Sequence, residues 1–334
     1  MTDISFSNVN DNTPVLVGNG QLTDKRGVNG YNYLEMLSEV SKKAILDCEA
    51  SINIHEHIDT VAVVRFVADT PHRDSATSNL WGYPNMPRSL SNSLNLVASN
   101  EIYTTTGGNS PQLALNELAN RIKDNQIDCA LLAGGEALDT FVGRLKEGLE
   151  ANWEDNPGGE PEVLGKSDDG TNDHEKLHGL FDPSAVYPLF ANALRSSNNQ
   201  TIREHMEDTS ELFESFSKVA SQNEFAWFPI HRSASEIAEV KPDNRMIGLP
   251  YTKYMNSIMR VNQSCAMIMM SAKKARELGI PESKWVFMYS GACLNDIWNV
   301  SDRSNYHSSP AIKACTHNVI DLSLIHISEP TRQS

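Results

Sequence analysis

The feature that most constrains this chain is a repeated alternation of short apolar runs with stretches of helical periodicity. Pro14-Val15-Leu16-Val17-Gly18 is an apolar run closed by glycine, and Tyr33 to Cys48 then carries Leu34, Leu37, Ala44, Ile45 and Cys48 as a stripe at helical spacing. Asp59 to Val64 reads as a second buried strand. The unit returns with the β-rich segment Ile102 to Thr106, the pair Gly107-Gly108, a helix predicted from about Pro111 to Lys123, and the run Cys129 to Ala133. Strands alternating with helices of this length predict an α/β fold whose mostly parallel sheet is covered on both faces.

Between about residues 139 and 241 the strand signals fade. An acidic, glycine-rich stretch at 158–176 leads to helical segments around Ala185–Ala193 and Glu211–Ala220, which predicts an inserted loop domain. The apolar run Ala266 to Met270 then enters a predicted helix Ser271–Leu278, and Trp285 to Tyr289 reads as the next strand. With 334 residues, 40% of them hydrophobic, the chain can bury real cores in about two domains of ~150 residues each.

A formal net charge of -15 argues against nucleic acid as a partner, because that binding rests on clustered Lys and Arg. No stretch approaches the ~20 apolar residues of a membrane span, and the N-terminus lacks the basic and apolar regions of a signal peptide, so the expectation is a cytoplasmic protein without membrane contact. Cys48, Cys129, Cys265, Cys293 and Cys315 are odd in number and form no CxxC pair, as expected of reduced thiols. Cys129 and Cys265 lie in or beside apolar runs and are expected to be buried and inert.

Four local patterns bear on chemistry. Gly107-Gly108-Asn109-Ser110-Pro111 is a strand-to-helix elbow with Pro at a favoured first helical position, where backbone N–H groups and the helix dipole can hold an anion; an ordinary capped helix would look the same. His174-Glu175-Lys176-Leu177-His178 matches a zinc-hydrolase string, but Asp and Gly before it and Gly179 and Pro183 after it predict solvated loop histidines, with no metal bound. Gly18-Asn19-Gly20 begins like a dinucleotide fingerprint, yet Thr23 stands where the third glycine belongs. His55-Glu56-His57 reads as a polar connector before a strand.

Several ordered segments resemble the thiolase superfamily, specifically its acetyl-CoA acetyltransferase-like branch related to the thiolase part of sterol-carrier proteins. They are PVLVGNGQ at 14–21, TTGGNSPQLALNELA at 105–119, LLAGGEAL at 131–138, DPSAVYPLFANALR at 182–195, SQNEFAWFP at 221–229, DNRMIGLPYTKYMNS at 243–257, SAKKARELGIPESKWVF at 271–287 and HSSPAIKA at 307–314. The resemblance implies a layered αβαβα fold of two similar halves, each a five-stranded sheet between helices, with an inserted loop domain that helps bind CoA. It places the first half at 1–281 with the loop domain at about 139–241, only the start of a second half at 282–321, and a tail at 322–334 that reads as non-native sequence, so that the second half is incomplete.

The implied activity is acyl transfer between CoA thioesters. Acetyl-CoA or acyl-CoA is the substrate, no further cofactor is needed, and a homodimer forms when the protein is full length. Family chemistry uses a cysteine thiolate at the elbow, but its position falls here on Gly108 or Asn109. Ser110 is the adjacent hydroxyl, while Gly107, Gly108, Asn109 and Ser110 together are the implied substrate-binding residues. The missing cysteine leaves a second reading open, a noncatalytic protein that binds acyl-CoA or lipid.

Overall fold

A computed structural model describes residues 8–69, 81–151, 153–166 and 170–324. The chain divides into two compact units, Met1–Ser167 with Arg260–Cys293, and Asp168–Met259 with Leu294–Ser334.

The first unit is built on β1 (Pro14–Thr23), α1 (Tyr33–Asp47), β2 (Thr60–Val63), α2 (Met86–Ser93), β3 (Asn100–Thr104), α3 (Ser110–Lys123), β4 (Cys129–Ala137), α4 (Leu138–Lys146), β5 (Glu162–Leu164), β6 (Asn262–Ser271) and β7 (Val286–Phe287). The strands form one sheet in the order β7-β1-β6-β4-β2-β3-β5. β2 pairs in parallel with β3 and β4, and β3 with β5. β6 runs antiparallel to both β1 and β4, so β1 shares the direction of β2 to β5 and β6 is the long strand that opposes them. The sheet is thus mixed α/β and rich in parallel strands, as the strand-helix-strand units require.

Each face has its own core. On one side α1, α2 and α4 bury Tyr33, Met36, Leu37, Leu90 and Phe141 against Val15, Val61, Leu131 and Ile268. On the other, α3 covers Ala62, Ile102, Ala130 and Leu132 with Ala114, Leu118 and Ile122. Register explains the split, since alternate residues of β4 and β6 point to opposite faces. Cover on the α3 side is incomplete, and the register partners Gln21 and Cys265 are exposed there.

β1 is longer than its apolar run, extending through Gly18-Asn19-Gly20 to Thr23. Those glycines answer to packing. A Cβ on Gly18 would strike the Ala44 carbonyl and the Cys48 sulfur, and one on Gly20 would strike the Val40 carbonyl and come within 2.9 Å of the Ala44 nitrogen. Without side chains there, the α1 backbone can lie directly on β1. A capping box of Asn32 and Glu35 fixes where α1 starts.

The bounds of the insert differ from the sequence expectation. α4 packs Phe141 against Trp153, with ring centroids 5.3 Å apart, and β5 joins the main sheet, so the first unit continues to Ser167. It resumes at Arg260, whose guanidinium pairs with Asp139 at 3.0 Å. Val286–Phe287 adds to the edge of the same sheet beside Val15 and Leu16. Of the expected tail, residues 325–334 lie outside the described residues, while Leu322 to Leu324 end the helix Pro310–Leu324.

The second unit is mainly helical, with Asp173–Leu177, Pro183–Ser197, Ile202–Ala220, Ala234–Ala238 and Pro310–Leu324, and adds a short antiparallel pair of strands, Met246–Gly248 and Tyr251–Thr252. Thr201 with Glu204 and Ser233 with Glu236 form capping boxes. Asn244 knots its segment by donating to the carbonyls of Glu236, Ile237 and Glu239 at 2.8–3.2 Å and accepting from the Tyr254 amide at 2.9 Å. Among the described residues no helix is long and apolar enough to cross a membrane.

Replacing Gly20 with alanine is expected to cost about 2 kcal/mol, because the clash is with helix backbone that cannot rotate away. Urea unfolding checks this, and a midpoint equal to wild type would contradict the packing assigned to Gly20.

Candidate functional site at the carboxyl ends of the parallel strands

Open α/β sheets bind ligands beyond the carboxyl ends of their parallel strands. Here β2 ends at Val63, and β3 ends at Thr104 and turns through Gly107-Gly108-Asn109 into α3. The Ser110 amide donates to Gly107 O at 3.0 Å, and Leu113 N donates to Asn109 O at 3.1 Å, closing the first turn. Gly108 and Asn109 are exposed and Gly107 is half-buried.

Ser110 is buried, and its hydroxyl donates to the Thr105 carbonyl at 2.7 Å. It therefore ties the strand end to the helix start, an arrangement unlike that of an activated nucleophile, which needs a base in hydrogen-bond reach. The Asn109 side chain makes no cap hydrogen bond, the first turn of α3 carries no acidic residue, and Arg121 and Lys123 sit in the last turn. The positive end of the helix dipole thus faces the exposed elbow without a protein carboxylate in that turn.

Next to the elbow lies a polar cluster that the sequence reading did not single out. Arg65, just beyond β2, donates from its backbone to Thr104 Oγ1 and from Nε to Thr104 O, both at 3.1 Å. Its Nη1 donates to Asp69 Oδ2 at 2.9 Å, and its guanidinium lies 3.7 Å from the centre of the Tyr103 ring. The Tyr103 hydroxyl donates to the same Asp69 oxygen at 2.6 Å. Burial pushes the Asp69 carboxyl above its ordinary range, against the pull of Tyr103 and Arg65. Burial also raises the Tyr103 phenol well above its usual value, which keeps the proton it donates. Arg65 four residues before Asp69, directly after an apolar strand, was the available signal; only the fold stacks both on Tyr103.

The two histidines of the zinc-like string are exposed, as expected of solvated side chains, but the string is not a loop. Asn172 and Glu175 form a capping box, so Asp173–Leu177 is a short helix and the rings of His174 and His178 lie 4.6 Å apart. The expectation that flanking Asp, Gly and Pro would prevent a helix gives way to the local cap. Glu175, however, accepts the amides of Asn172 at 2.8 Å and Ser301 at 2.6 Å. Those bonds hold its carboxyl below the usual carboxylate range, which is poor chemistry for a general base. Among the described residues no three His, Cys, Asp or Glu side chains are grouped to hold a metal ion.

Of the thiols, Cys48 and Cys129 are buried, and burial pushes Cys48 up to about 12 and Cys129 well above the ordinary thiol value. Cys265 corrects the expectation of burial. It lies on the α3 side of β6 where that helix does not reach, and it is exposed, as is Cys293.

Arg65→Ala is expected to cost roughly 2 kcal/mol by stranding a half-buried carboxylate. Because the folded-state pKa of Asp69 is raised, the folded protein holds this proton to higher pH than the unfolded chain, so the penalty is absent below the ordinary carboxylate range and grows as pH rises through it. Loss of Arg65 widens that window, and urea unfolding should show a larger deficit at pH 7 than at pH 4. In thiol labelling of the native protein, Cys265 and Cys293 should react well before Cys48 and Cys129; equal rates would contradict the assigned burial.

No family model and no curated protein sequence matches the chain. Solved structures do. A monomeric SCP2-thiolase-like protein type 1 from Mycobacterium smegmatis is 28% identical, matching 94% of this chain and 58% of its own length with a TM-score of 0.74. The chain therefore spans less than two thirds of that protein. An Ltp2–ChsH2(DUF35) aldolase, 12% identical, matches 93% of this chain and 70% of its own with a TM-score of 0.63. An acetyl-CoA acetyltransferase from Syntrophomonas wolfei, 16% identical, matches 81% and 67% with a TM-score of 0.51. The latter two likenesses speak to fold alone. These findings show that the chain has a thiolase-like fold, and its likeness is to an SCP2-thiolase-like protein and to thiolases of that superfamily.

Proposed function

We propose that the protein works on acyl-CoA thioesters, the substrate class of acyl transfer in its superfamily, and that the elbow of this chain binds the thioester without forming an acyl-enzyme. The observation that carries this reading is the state of the elbow. The resemblance puts the family's cysteine position at Gly108 or Asn109, neither of which carries a nucleophile, and Ser110 has its hydroxyl committed to Thr105 O at 2.7 Å. What remains is a helix N-terminus free of acidic side chains, suited to a carbonyl oxygen or phosphate that carries negative charge. Exposed glycine at 108 lets such a group approach the backbone.

Acyl transfer between CoA thioesters belongs, on this reading, to a protein that supplies a nucleophile and base from elsewhere, and binding of acyl-CoA or lipid without turnover is the part assigned to these residues. A zinc hydrolase at His174 and His178 is disfavoured because Glu175 is occupied as a helix cap.

Calorimetric titration with acetyl-CoA, paired with intact-mass analysis, tests the proposal. Saturable binding with no acetyl adduct is expected. Gly108→Asp should weaken binding about tenfold by placing a carboxylate at the helix start. Nothing lies within 4 Å of a Cβ there, so the fold should tolerate it. Ser110→Ala should leave affinity within about threefold of wild type. An acetyl group on Ser110 would overturn the noncovalent role, and no affinity for acetyl-CoA would overturn the substrate class.

A further inference from the structure

From the placement of His174 beside His178, we infer that the short helix Asp173–Leu177 and its C-cap carry a two-histidine site for a divalent copper or nickel ion. The imidazoles stand one helical turn apart, both exposed, with ring centres 4.6 Å apart. That separation is the one a shared ion requires. With metal–nitrogen bonds of about 2.0 Å and an angle of about 90° between them, two imidazoles on one ion have ring centres roughly 4.5 Å apart. The wider angle of a tetrahedral zinc site spreads them to roughly 5.2 Å, so the spacing here favours the tetragonal geometry of copper or nickel.

Hydrogen bonding also prepares one of the ligand atoms. His178 Nδ1 lies 2.9 Å from the His174 carbonyl oxygen, which can only accept, so Nδ1 carries the proton of this bond. The neutral ring then keeps its lone pair on Nε2. Metal-bound imidazoles are held in this way, with a carbonyl or carboxylate taking the N–H that the ion does not use.

A helix of five residues does not hold its turn by itself, and Glu175 fastens this one from beneath. Its side chain is buried, with one oxygen accepting the Asn172 amide at 2.8 Å and the other the Ser301 amide at 2.6 Å. Asn172 Nδ2 adds a bond to Ser301 Oγ at 3.3 Å. On the far side Gly179, with φ +74°, ends the helix, and the Leu180 amide donates to Glu175 O at 2.9 Å. All of these contacts lie within the second unit, and they fix the backbone that spaces the two histidines. Glu175 and Asp173 supply negative charge that favours a cation, against the single positive charge of Lys176. Both Glu175 oxygens are occupied by amides, so the glutamate is neither a ligand nor a base, and water completes the shell of the ion.

The test titrates the full chain, and its His174→Ala and His178→Ala variants, with nickel, zinc and copper chlorides. Wild type should take up one more equivalent of nickel than either variant in calorimetry, or bind that equivalent at least about tenfold more tightly. Ions held at Cys265 or Cys293 persist in the variants and so cancel in the comparison. The paramagnetic resonance spectrum of bound copper should be tetragonal, with coupling to two nitrogens that each variant reduces. Diethyl pyrocarbonate labelling of the unsubstituted protein reads the same site without relying on the fold of a variant, and nickel should protect His174 and His178 together. Nickel uptake and copper spectra unchanged in a variant, or equal labelling with and without nickel, would overturn the site. Zinc binding more tightly than nickel would overturn the tetragonal geometry and with it the choice of ion.

Discussion

The structure depends first on β6. This strand pairs along nine residues with β1 on one side and nine with β4 on the other, running against both, and it is what joins the amino-terminal strand and α1 to the parallel strands β2 to β5. Its partners in β1 lie far away along the chain, Pro14 with Ser271 and Thr23 with Gln263. Such a non-local closure costs loop entropy that the ladder and the two cores must offset. Once made, it fixes both ends of the excursion from Asp168 to Met259, which is how a sheet tolerates an inserted unit with hydrogen bonding of its own.

The same sheet sets the candidate site. Because β2 and β3 run in parallel, their ends bring Arg65, Thr104 and the elbow to one place, and the Arg65–Asp69–Tyr103 cluster locks the backbone on which the turn is built. Glycine and asparagine at the elbow carry no nucleophilic group, and the nearest hydroxyl, that of Ser110, works as a structural tie. A fold of this kind does not fix a reaction by itself, which depends on the side chains gathered at the site.

Much of the fold was legible because apolar periodicity reports which residues must leave water. The stripe Leu34, Leu37, Ala44 and Ile45 and the runs at Val61 and Leu131 named their elements directly, with boundaries off by a few residues, as at β1, where glycines continue the strand. The elbow at Gly107 to Ser110 was legible as a turn into a helix. That Ser110 is tied down was not, since its acceptor, the Thr105 carbonyl, becomes available only once β3 ends where it does. The HExxH string shows the opposite failure. Its flanking Asp, Gly and Pro argued against a helix, while the Asn172–Glu175 cap, also present in the sequence, was the stronger local term.

The sequence by itself determined the α/β class, the order of strands and helices in the first unit, the capped helix starts, and the absence of a cysteine at the elbow, because periodicity, caps and residue identity are local properties. Only the tertiary structure decided that β6 enters between β1 and β4, that Cys265 is exposed while Cys129 is buried, that Arg65 stacks on Tyr103, and that Glu162 to Leu164 closes the edge of β3. Each of these depends on which residue far along the chain arrives alongside, and an apolar run looks the same whether the face it presents is finally covered or left open.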